Sequence, residues 1–399
     1  MGILLQIRRH CEPGSRGLNS TVECESRVFM SDKRTVILAG GGTGGHLTPG
    51  LAVVQELRRR DPAIHVVFVG SDRPIDQKLL TGHDRRVIAP LPLQTAWRSP
   101  GKFVRAWWRA RSQSWQLLEE LHPPIVIGLG GLASVPVLLA AQRRGIPTLL
   151  LEQNVIPGRA NRWLARHADR VCVSFAETLP NLPHPGRGVV TGNPVRPEFA
   201  ALAMVRRDEV VTRPRVLILG GSQGAQPLNA ALAECLREVP PAWRAFAWVH
   251  QSGESGVAEL QAAYGRAGLA AEVAPFLDDL DRRLPSAAVV ISRAGATTLA
   301  ELACAGVATV LVPYPQAADD HQRANARAYS ARGGAVVVDQ EGAEPFPRRL
   351  GETLLHLLDD PPARHGLARQ IRSLAHPDAA ARVVDEIDEL ASRAARGFG

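Results

Sequence analysis

The chain has 399 residues, of which 45% are hydrophobic and 22% are charged, and its formal net charge is +8. This is an ordinary globular composition, and the length suffices for two domains. The five cysteines are scattered and form no C-x-x-C pair, which argues against a disulfide framework or a zinc site and indicates a reducing compartment. The positive charge indicates an anionic partner: nucleic acid, a phosphorylated substrate or an anionic membrane. The apolar runs are too short or too interrupted to span a bilayer.

Residues 1–33 carry no periodic hydrophobic pattern, and we expect a disordered N-terminal extension there. Met30 lies just before the first predicted strand, and we expect translation to start at this residue. The mass of the natively expressed protein tests that expectation.

The stretch Thr35–Leu57 combines a strand, a glycine-rich loop and a helix. Val36–Leu38 is a short β-branched apolar run, and the glycines after it allow a sharp turn and close approach to a ligand. Apolar residues from Leu51 onward recur at helical spacing, with Thr48-Pro49 as the expected cap and first turn. A helix start carries unpaired N–H groups and the positive end of the macrodipole, so this loop suits an oxyanion.

His46 stands at the end of this glycine loop. A neutral imidazole near a helix N-terminus has a lowered pKa and can act as a base, whereas a surface or capping histidine is the alternative. The loop fits the dinucleotide motif G-x-G-x-x-G poorly, and Asp72 comes too late for the acidic residue of that motif. An NAD-dependent dehydrogenase is therefore disfavoured.

Short apolar strands alternate with helical patterns through the first half of the chain. The predicted strands are Val36–Ala39, Val66–Gly70, Ile125–Leu129, Thr148–Glu152 and Val171–Phe175. This rhythm predicts a parallel sheet with helices on both faces. Ligands of such sheets bind outside the carboxyl ends of the strands, so Gly128–Gly131 and Glu152–Asn154 should face the same crevice as the first glycine loop.

The helical segment Lys102–Trp115 interleaves aromatic residues with cations. This composition is typical of an interfacial membrane-binding helix. The predicted membrane contacts are Phe103, Arg105, Trp107, Trp108 and Arg109. A core helix with a basic outer face is the main alternative. A nucleic-acid surface is a weaker one, because no recognisable nucleic-acid module accompanies the segment.

The Gly- and Pro-rich segment Thr191–Pro197 is a predicted hinge, after which the scheme begins again. Arg215–Leu232 repeats the order of strand, glycine loop and helix. Further strands are predicted at Phe246–His250, Ala288–Ser292, Ala308–Val312 and Ala335–Val338. Two similar halves predict two facing domains, 34–195 and 196–376, with a cleft between them. We expect residues 377–399 to form a helix that returns to the first domain.

The segment Ala288–Pro313 ends a strand, turns at Gly295 and opens a helix near Thr297. Its N–H groups and threonine hydroxyls suit a diphosphate, and Glu301 suits both hydroxyls of a ribose. Thr298–Glu301 also fits a capping box, so spacing leaves both interpretations open.

Two further polar features of the second half are ambiguous by themselves. The polar cluster from Asp319 to Asn325 suits a sugar or is simply a solvated loop. Arg196, beside the hinge, suits a phosphate or is simply a surface residue.

Seven short motifs lie in a specific order between Arg34 and the C-terminus. They are GGGTGGH at Gly40–His46, PGLA at Pro49–Ala52, EQN at Glu152–Asn154, GNPVR at Gly192–Arg196, GGSQGA at Gly220–Ala225, HQSG at His250–Gly253 and the segment Ser292–Glu301. Together they resemble the MurG family of glycosyltransferases. The resemblance implies a GT-B fold of class α/β, with two Rossmann-like domains whose parallel sheets face each other across a cleft. It also implies an inverting transfer of GlcNAc from UDP-GlcNAc to the muramyl 4-hydroxyl of undecaprenyl-diphosphate-MurNAc-pentapeptide (lipid I), giving lipid II.

The resemblance also implies site residues, position by position. The implied UDP-GlcNAc contacts are Thr43, Gly44, Gly45, Asn154, Arg196, Ser222, Leu277, Ala296, Thr297, Thr298, Leu299, Ala300, Glu301 and Gln322. Glu301 would take the ribose hydroxyls, Gln322 the GlcNAc hydroxyls, and Ser222 with the helix start near Thr297 the diphosphate. His46 becomes the expected catalytic base. Helix dipoles and Arg196 are expected to stabilise the leaving group, with no metal and no cofactor.

The implied partners are UDP-GlcNAc, lipid I and the membrane surface, with no nucleic acid; contacts with other cell-wall synthesis proteins stay open. The implied location is peripheral, at the cytoplasmic face of the inner membrane. On the acceptor side the sequence departs from the family: Gly130–Pro136 reads GGLASVP instead of GGYVSGP, and Leu93–Pro100 replaces a basic GLRGK-type stretch. Details of lipid I recognition are therefore open.

Two other functions remain possible from the sequence. A UDP-GlcNAc 2-epimerase would share the architecture but needs no lipid acceptor, and the segment Lys102–Trp115 argues against it. A non-catalytic nucleotide-sugar or lipid-binding subunit would bind UDP-GlcNAc without turnover.

Overall fold

Two parallel β-sheets, one of seven strands and one of six, frame the protein. The structure is a computed structural model that describes residues 34–91, 99–205, 214–221 and 224–396. The expected N-terminal extension, residues 1–33, and the predicted diphosphate ligand Ser222 lie outside the described residues.

The first sheet is formed by residues between 35 and 190. Its strands are Thr35–Gly40 (β1), His65–Gly70 (β2), Asp84–Val87 (β3), Val126–Gly130 (β4), Thr148–Glu152 (β5), Arg170–Val173 (β6) and Gly188–Val190 (β7). The helices around it are Gly44–Arg60 (α1), Pro74–Leu79 (α2), Pro100–Leu121 (α3), Ser134–Arg143 (α4) and Arg159–Leu164 (α5). The strand order is β3-β2-β1-β4-β5-β6-β7, with parallel pairing throughout. This is the Rossmann order with one strand added at the edge.

The second sheet repeats that order in a second domain, with strands β10-β9-β8-β11-β12-β13 side by side. These strands are Arg215–Leu219 (β8), Ala247–Gln251 (β9), Ala271–Ala274 (β10), Ala287–Ser292 (β11), Ala308–Leu311 (β12) and Val336–Val337 (β13). The remaining helices are Pro197–Leu202 (α6), Gln226–Cys235 (α7), Val257–Ala267 (α8), Leu280–Arg283 (α9), Ala296–Ala305 (α10), His321–Ser330 (α11), Phe346–Asp359 (α12), Pro361–Ser373 (α13) and Ala379–Arg396 (α14).

The central strands are mostly apolar and buried because helices cover both faces of each sheet. Every residue of β4 and β5 is buried, and so is every residue of β12. Hydrophobic side chains therefore form one cluster on each face of each sheet. This packing fixes the carboxyl ends of the strands, where the loops of the site begin.

The C-terminal helix α14 packs on the first domain although it follows the second in sequence. Its apolar stripe joins the core cluster around β1 and α1, through Val383, Val384, Ile387 and Leu390. Arg34 Nη1 lies 2.7 Å from Asp388 Oδ1 and adds an ion pair to this contact. The chain thus passes between the domains twice, near residue 195 and near residue 376. The two passages touch, since a Cβ built on Gly192 would lie 2.3 Å from the Cβ of His376.

The predicted fold, two Rossmann-like α/β domains with parallel sheets, is confirmed. Each predicted strand coincides with an observed one, but β3, β7 and β10 were not predicted. All three lie at sheet edges, and β3 and β10 carry charged residues and are only partly buried. An edge strand needs no continuous apolar run, so its sequence carries a weak signal.

The prediction that Thr48-Pro49 caps the first helix is wrong. Helix α1 begins at Gly44 with Thr43 as N-cap, and Pro49 lies inside it. The first turn contains Gly44 and Gly45, and glycine has a poor helix propensity, so the sequence of this turn is typical of a loop. Tertiary packing outweighs that propensity here.

Candidate functional site

The glycine-rich loops of both domains follow the strands at which the strand order reverses. In the first domain Gly40 ends β1 and Gly41–Gly42 follow it, and Gly130 ends β4 and Gly131 follows it. In the second domain Gly220–Gly221 follow β8 and Gly295 follows β11. Ligands of open α/β sheets bind at such switch points.

The N-terminal turns of α1 and α10 touch across the cleft between the domains. Thr297 Oγ1 donates a hydrogen bond to the carbonyl oxygen of Gly45 at 3.3 Å. Pro49 explains why this carbonyl can accept: residue 49 would normally donate its N–H to residue 45 within the helix, and proline has no N–H. Two helix N-termini with positive dipole ends therefore border one cleft, which suits an anionic ligand.

His46 lies in the first turn of α1 and faces the loop after β4. A Cβ built on Gly130 would lie 3.1 Å from the imidazole Cδ2, so the ring packs on bare backbone. His46 Nδ1 is 3.1 Å from Thr43 Oγ1. The ring also lies near the backbone of Gly41, since a Cβ built on Gly131 would be 2.9 Å from the Gly41 carbonyl oxygen and 3.6 Å from His46 Nδ1. Burial lowers the pKa of His46 below its ordinary 6.5, although the nearby backbone of Gly41 opposes this. The imidazole is therefore neutral at neutral pH and can accept a proton.

Glu301 lies in the second turn of α10 and is only 7% exposed. The N-cap of this helix is Gly295, so the capping-box interpretation of Thr298–Glu301 is wrong. Burial raises the pKa of Glu301 to about 7, with Arg196 opposing and Glu198 adding to the rise. A buried carboxylate at the edge of a cleft is a typical ligand-binding group.

Arg196 is the N-cap of α6 and lies between two carboxylates. Its Nη1 is 3.3 Å from Glu198 Oε1, and its Nη2 is 3.8 Å from Glu301 Oε1. The guanidinium also stacks on the ring of Phe199, 4.6 Å from the centroid. Arg196 thus lies beside the residue predicted to hold the ribose, and its role at the diphosphate stays a prediction.

Asn154 lies where the first domain meets α11. Its Oδ1 accepts a hydrogen bond from Asn325 Nδ2 at 3.0 Å, and its N–H donates to Glu152 Oε1 at 2.9 Å. Glu152 is buried, and its Oε2 also accepts hydrogen bonds from the Nδ2 of Asn161 and the N–H of Gly158. Burial raises the pKa of Glu152, while these donors oppose the rise. The EQN motif therefore shapes the loop that presents Asn154 to the second domain.

Gln322 is the second residue of α11, and its Oε1 accepts the N–H of Tyr314 at 3.0 Å. Because an N–H must face an oxygen, the amide NH2 points the other way and can donate to a sugar hydroxyl. Arg293 holds the same loop: its Nη1 donates to the carbonyls of Val312 and Pro313 at 3.0 and 3.2 Å, and its guanidinium stacks on Tyr314. Sequence reasoning named Gln322 but missed Arg293.

The other residues predicted to contact UDP-GlcNAc differ in exposure. Leu277 and Leu299 are buried in the core of the second domain, so a ligand would meet their backbone. The first two turns of α1 and α10 contain Gly44, Gly45, Ala296, Thr297, Thr298 and Ala300.

The N-terminal half of α3 presents aromatic and basic residues to solvent. Val104 is 51% exposed and Trp108 58% exposed, and Arg105 and Arg109 are exposed beside them. The guanidinium of Arg111 stacks on Trp108. The predicted membrane contacts Phe103 and Trp107 are half-buried instead, and Trp107 packs on the core. Burial of the helix is concentrated further on, at Ala110, Ser114, Leu117 and Leu118.

Asp76 is a buried residue beside the site that sequence reasoning also missed. It lies on the short helix α2, and its carboxylate contacts the glycine loop after β1. A single acid in a six-residue helix gives no pattern from which to find it.

A cleft between two Rossmann-like domains, with a neutral histidine on one side and a helix N-terminus with a buried carboxylate on the other, defines the GT-B class of nucleotide-sugar enzymes. Residues 36–173 match the glycosyltransferase family 28 N-terminal domain, and residues 215–383 match the glycosyltransferase family 28 C-terminal domain. The chain belongs to glycosyltransferase family 28.

Curated relatives cover nearly the whole chain. One from Geotalea daltonii is 39% identical over 363 residues, which is 88% of this chain and 96% of the relative. One from Geobacter sulfurreducens is 37% identical over 365 residues, which is 88% of this chain and 97% of the relative. Both are described as UDP-N-acetylglucosamine--N-acetylmuramyl-(pentapeptide) pyrophosphoryl-undecaprenol N-acetylglucosamine transferase.

Solved structures share the architecture. The crystal structure of Acinetobacter baumannii MurG matches with a TM-score of 0.72 and 31% identity, over 89% of this chain and 99% of that chain. A UDP-GlcNAc 2-epimerase from Neisseria meningitidis, solved bound to UDP-GlcNAc, has a TM-score of 0.63 at 14% identity, over 89% of this chain and 100% of that chain. The epimerase likeness concerns the fold alone.

None of the helices in the part of the chain that the structure describes is both long and apolar enough to cross a membrane.

Proposed function

We propose that the protein transfers N-acetylglucosamine from UDP-GlcNAc to the 4-hydroxyl of the muramyl unit of lipid I, with inversion at C1, and so forms lipid II. The observation that carries the proposal is the position of His46 in a turn of α1 that touches the N-terminal turn of α10, in a chain of family 28. The relatives' shared description supports the same donor and acceptor.

The second domain offers the groups that a nucleotide sugar needs. The buried carboxylate of Glu301 accepts both ribose hydroxyls, which is more favourable than leaving it without hydrogen-bond donors. The N-terminal N–H groups of α10 bind the diphosphate. The amide of Gln322 donates to a GlcNAc hydroxyl while Tyr314 holds its oxygen. All three positions remain predictions of the proposal.

The reaction is one in-line displacement. The muramyl oxygen forms a bond to C1 of GlcNAc while the bond from C1 to the diphosphate oxygen breaks, and UDP leaves with the electron pair. His46 accepts the proton of the attacking hydroxyl, which its neutral imidazole permits. The positive ends of α1 and α10, together with Arg196, stabilise the charge that develops on the leaving group.

The lipid acceptor places the protein at a membrane surface, and α3 supplies a suitable contact. Val104 and Trp108 are exposed on one side of the helix, with Arg105 and Arg109 beside them. Exposed aromatic and apolar groups insert at the headgroup boundary while cations meet anionic lipid. We expect peripheral attachment at the cytoplasmic face of the inner membrane, with the first domain nearest the lipid.

The test is transfer of radiolabelled GlcNAc from UDP-GlcNAc to a short-chain lipid I analogue by the purified protein. Label in the lipid product, with release of UDP and no effect of a chelator, supports the proposal. A control with donor alone separates the alternatives. Formation of UDP-ManNAc from donor alone would indicate an epimerase, and binding of UDP-GlcNAc without any product would indicate a non-catalytic subunit.

A further inference from the structure

We propose that Asp76 is a positioning residue for His46: its buried carboxylate fixes the Gly41–Gly42 turn that lies beside the imidazole. The inference rests on the proposed role of His46 as the base. It adds a residue that touches neither donor nor acceptor.

The carboxylate of Asp76 is completely buried and is aimed at the glycine loop. Oδ1 accepts the N–H of Gly42 at 2.7 Å, and Oδ2 accepts the hydroxyl of Ser71 at 2.5 Å. Both donors are neutral, so the negative charge of the carboxylate remains available to act on nearby groups. A charged acceptor makes a stronger hydrogen bond than a neutral one. The bond to Gly42 therefore holds the loop firmly.

The loop conformation itself depends on this contact. Gly41 and Gly42 have φ angles of +144° and +86°, which side chains with a Cβ rarely adopt. A Cβ on Gly41 would lie 2.6 Å from Asp76 Oδ2, so the carboxylate occupies the space that the absent side chain leaves. Arg73 Nη1 donates to the carbonyl of Gly42 at 3.3 Å and closes the turn from the other side. The turn lies beside the His46 ring, since a Cβ built on Gly131 would be 2.9 Å from the carbonyl oxygen of Gly41 and 3.6 Å from His46 Nδ1.

Asp76 acts on His46 through its charge as well as through the turn that it holds. Asp76 from α2 raises the pKa of the imidazole, whereas His321 from α11, across the cleft, lowers it. Burial has the largest effect and lowers this pKa. Asp76 thus keeps the buried imidazole more basic than burial alone would leave it, while the turn keeps the ring oriented.

The test compares Asp76→Asn with Asp72→Asn, which removes a negative charge at an exposed position in the loop just before α2. We expect Asp76→Asn to lower kcat by about 10- to 100-fold, as loss of an orienting group typically does. The affinity for UDP-GlcNAc should stay unchanged, because the second domain supplies most donor contacts. The acidic limb of the pH–rate profile should move to lower pH, because a negative charge near His46 is lost. Asp72→Asn should match the wild type in all three measurements.

NMR titration of labelled histidines gives a readout that needs no turnover. The chain has 12 histidines, so the His46 signal is assigned by its loss in His46→Gln. We expect a lower His46 pKa in Asp76→Asn and an unchanged one in Asp72→Asn. Wild-type kcat together with a wild-type His46 pKa in Asp76→Asn would overturn the proposal. A wild type that transfers no GlcNAc would refute the proposed function instead, and the titration would still decide whether Asp76 acts on His46.

Asp76→Glu covers the possibility that the Asn variant does not fold, as judged by its melting temperature and UDP-GlcNAc binding. It keeps the carboxylate, so we expect a His46 pKa like that of the wild type and a kcat within about fivefold of it, well short of the loss expected for a missing orienting group. A His46 pKa that falls although the carboxylate is retained would contradict the proposal.

Discussion

At the scale of single residues, burial moves the pKa values of His46 and Glu301 in opposite directions, since it disfavours the charged form of each. The histidine becomes a neutral proton acceptor. The carboxyl becomes a group whose ionisation is costly until donors surround it. One physical cause thus suits His46 to the proposed role of base and Glu301 to the proposed role of acceptor for the ribose hydroxyls.

The first prediction concerns His46→Ala. If His46 takes the proton of the muramyl hydroxyl, kcat should fall by about 10²- to 10⁴-fold, the usual contribution of a positioned base, with little change in the KM for UDP-GlcNAc. In the wild type the activity should fall as pH drops through the lowered pKa, so the acidic limb should lie below 6.5. Steady-state rates across pH check both statements. His167→Ala, at an exposed position of the same domain, is the control. Near-normal turnover of His46→Ala would remove the residue from this role.

The second prediction concerns Glu301→Gln, which should weaken donor binding and stabilise the fold above pH 7. In the folded state the pKa of Glu301 is about 7, whereas its ordinary pKa is 4.5. The free energy of unfolding of the wild type therefore falls as the pH rises from 4.5 to about 7. At 1.36 kcal/mol per pKa unit, the ionised carboxylate costs the folded state about 3 kcal/mol. Gln removes this cost, and the KM for UDP-GlcNAc should rise by about 10-fold or more with the charged acceptor gone.

Urea denaturation at pH 8 and below pH 5, together with donor kinetics, checks this second prediction. Glu198→Gln changes the other carboxylate beside Arg196 and should leave the KM nearly unchanged. Loss of stability at pH 8 in Glu301→Gln would mean that Arg196 stabilises the carboxylate more than burial destabilises it.

That the glycine loops meet at one cleft could be predicted from the sequence, because loops after parallel strands meet at one edge of a sheet. The roles of the individual residues there stay predictions. Arg293 and Asp76 were not foreseen. Arg293 hydrogen-bonds to the backbone of Pro313, and Asp76 hydrogen-bonds to the backbone of Gly42. Contacts with the backbone of a neighbouring loop leave no spacing pattern in a sequence.

At the scale of elements, the sequence predicted the central strands and missed edge strands, since only a strand covered on both faces needs an unbroken apolar run. Helix α1 shows the converse limit. Its first turn has a loop-like sequence, and Pro49 inside the helix costs an internal hydrogen bond. The structure uses the freed carbonyl of Gly45 to dock Thr297. Propensity alone could not anticipate a contact made with a residue from the other domain.

The third prediction belongs to helix α3. The double variant Val104→Ser, Trp108→Ser should lower binding to anionic phospholipid vesicles by at least about 10-fold, because two exposed apolar side chains no longer enter the interface. Transfer to a short-chain, water-soluble lipid I analogue should stay near the wild-type rate, since neither residue belongs to the cleft. Vesicle sedimentation measures the binding. Leu355→Ser, an exposed apolar position on α12, is the control, and equal vesicle binding by all three proteins would refute the role of α3.

At the scale of the whole molecule, the domains are joined by contacts of unequal kind. Arg159 Nη2 lies 3.1 Å from Asp319 Oδ1 at the exposed rim of the cleft. Asn325, by contrast, is completely buried, and its amide accepts the N–H of Val155 and donates to Asn154 and to the carbonyl of Ala294. Sequence reasoning predicted that two domains would face each other. The contacts of Asn325 with Val155 and Asn154, however, join residues that are 170 and 171 positions apart and follow no periodicity.

The fourth prediction uses this difference to ask what holds the domains in register. Asn325→Ala leaves buried partners on both domains without hydrogen bonds, at about 1–3 kcal/mol for each unsatisfied group. It should therefore lower the free energy of unfolding by about 3 kcal/mol or more and lower kcat, because Asn154 loses its contact with α11. Arg159→Ala breaks an exposed ion pair and should cost less than about 1 kcal/mol, because solvent screens it and ordering its long side chain costs entropy.

Calorimetry and transfer kinetics decide the fourth prediction. Separate melting of the two domains in Asn325→Ala, but not in Arg159→Ala, would show that one buried amide couples them. The reverse order would mean that rim charges set the closure of the cleft. In that case stability and donor affinity of the wild type should also fall as salt is raised, because a screened ion pair weakens with ionic strength while a buried amide contact does not.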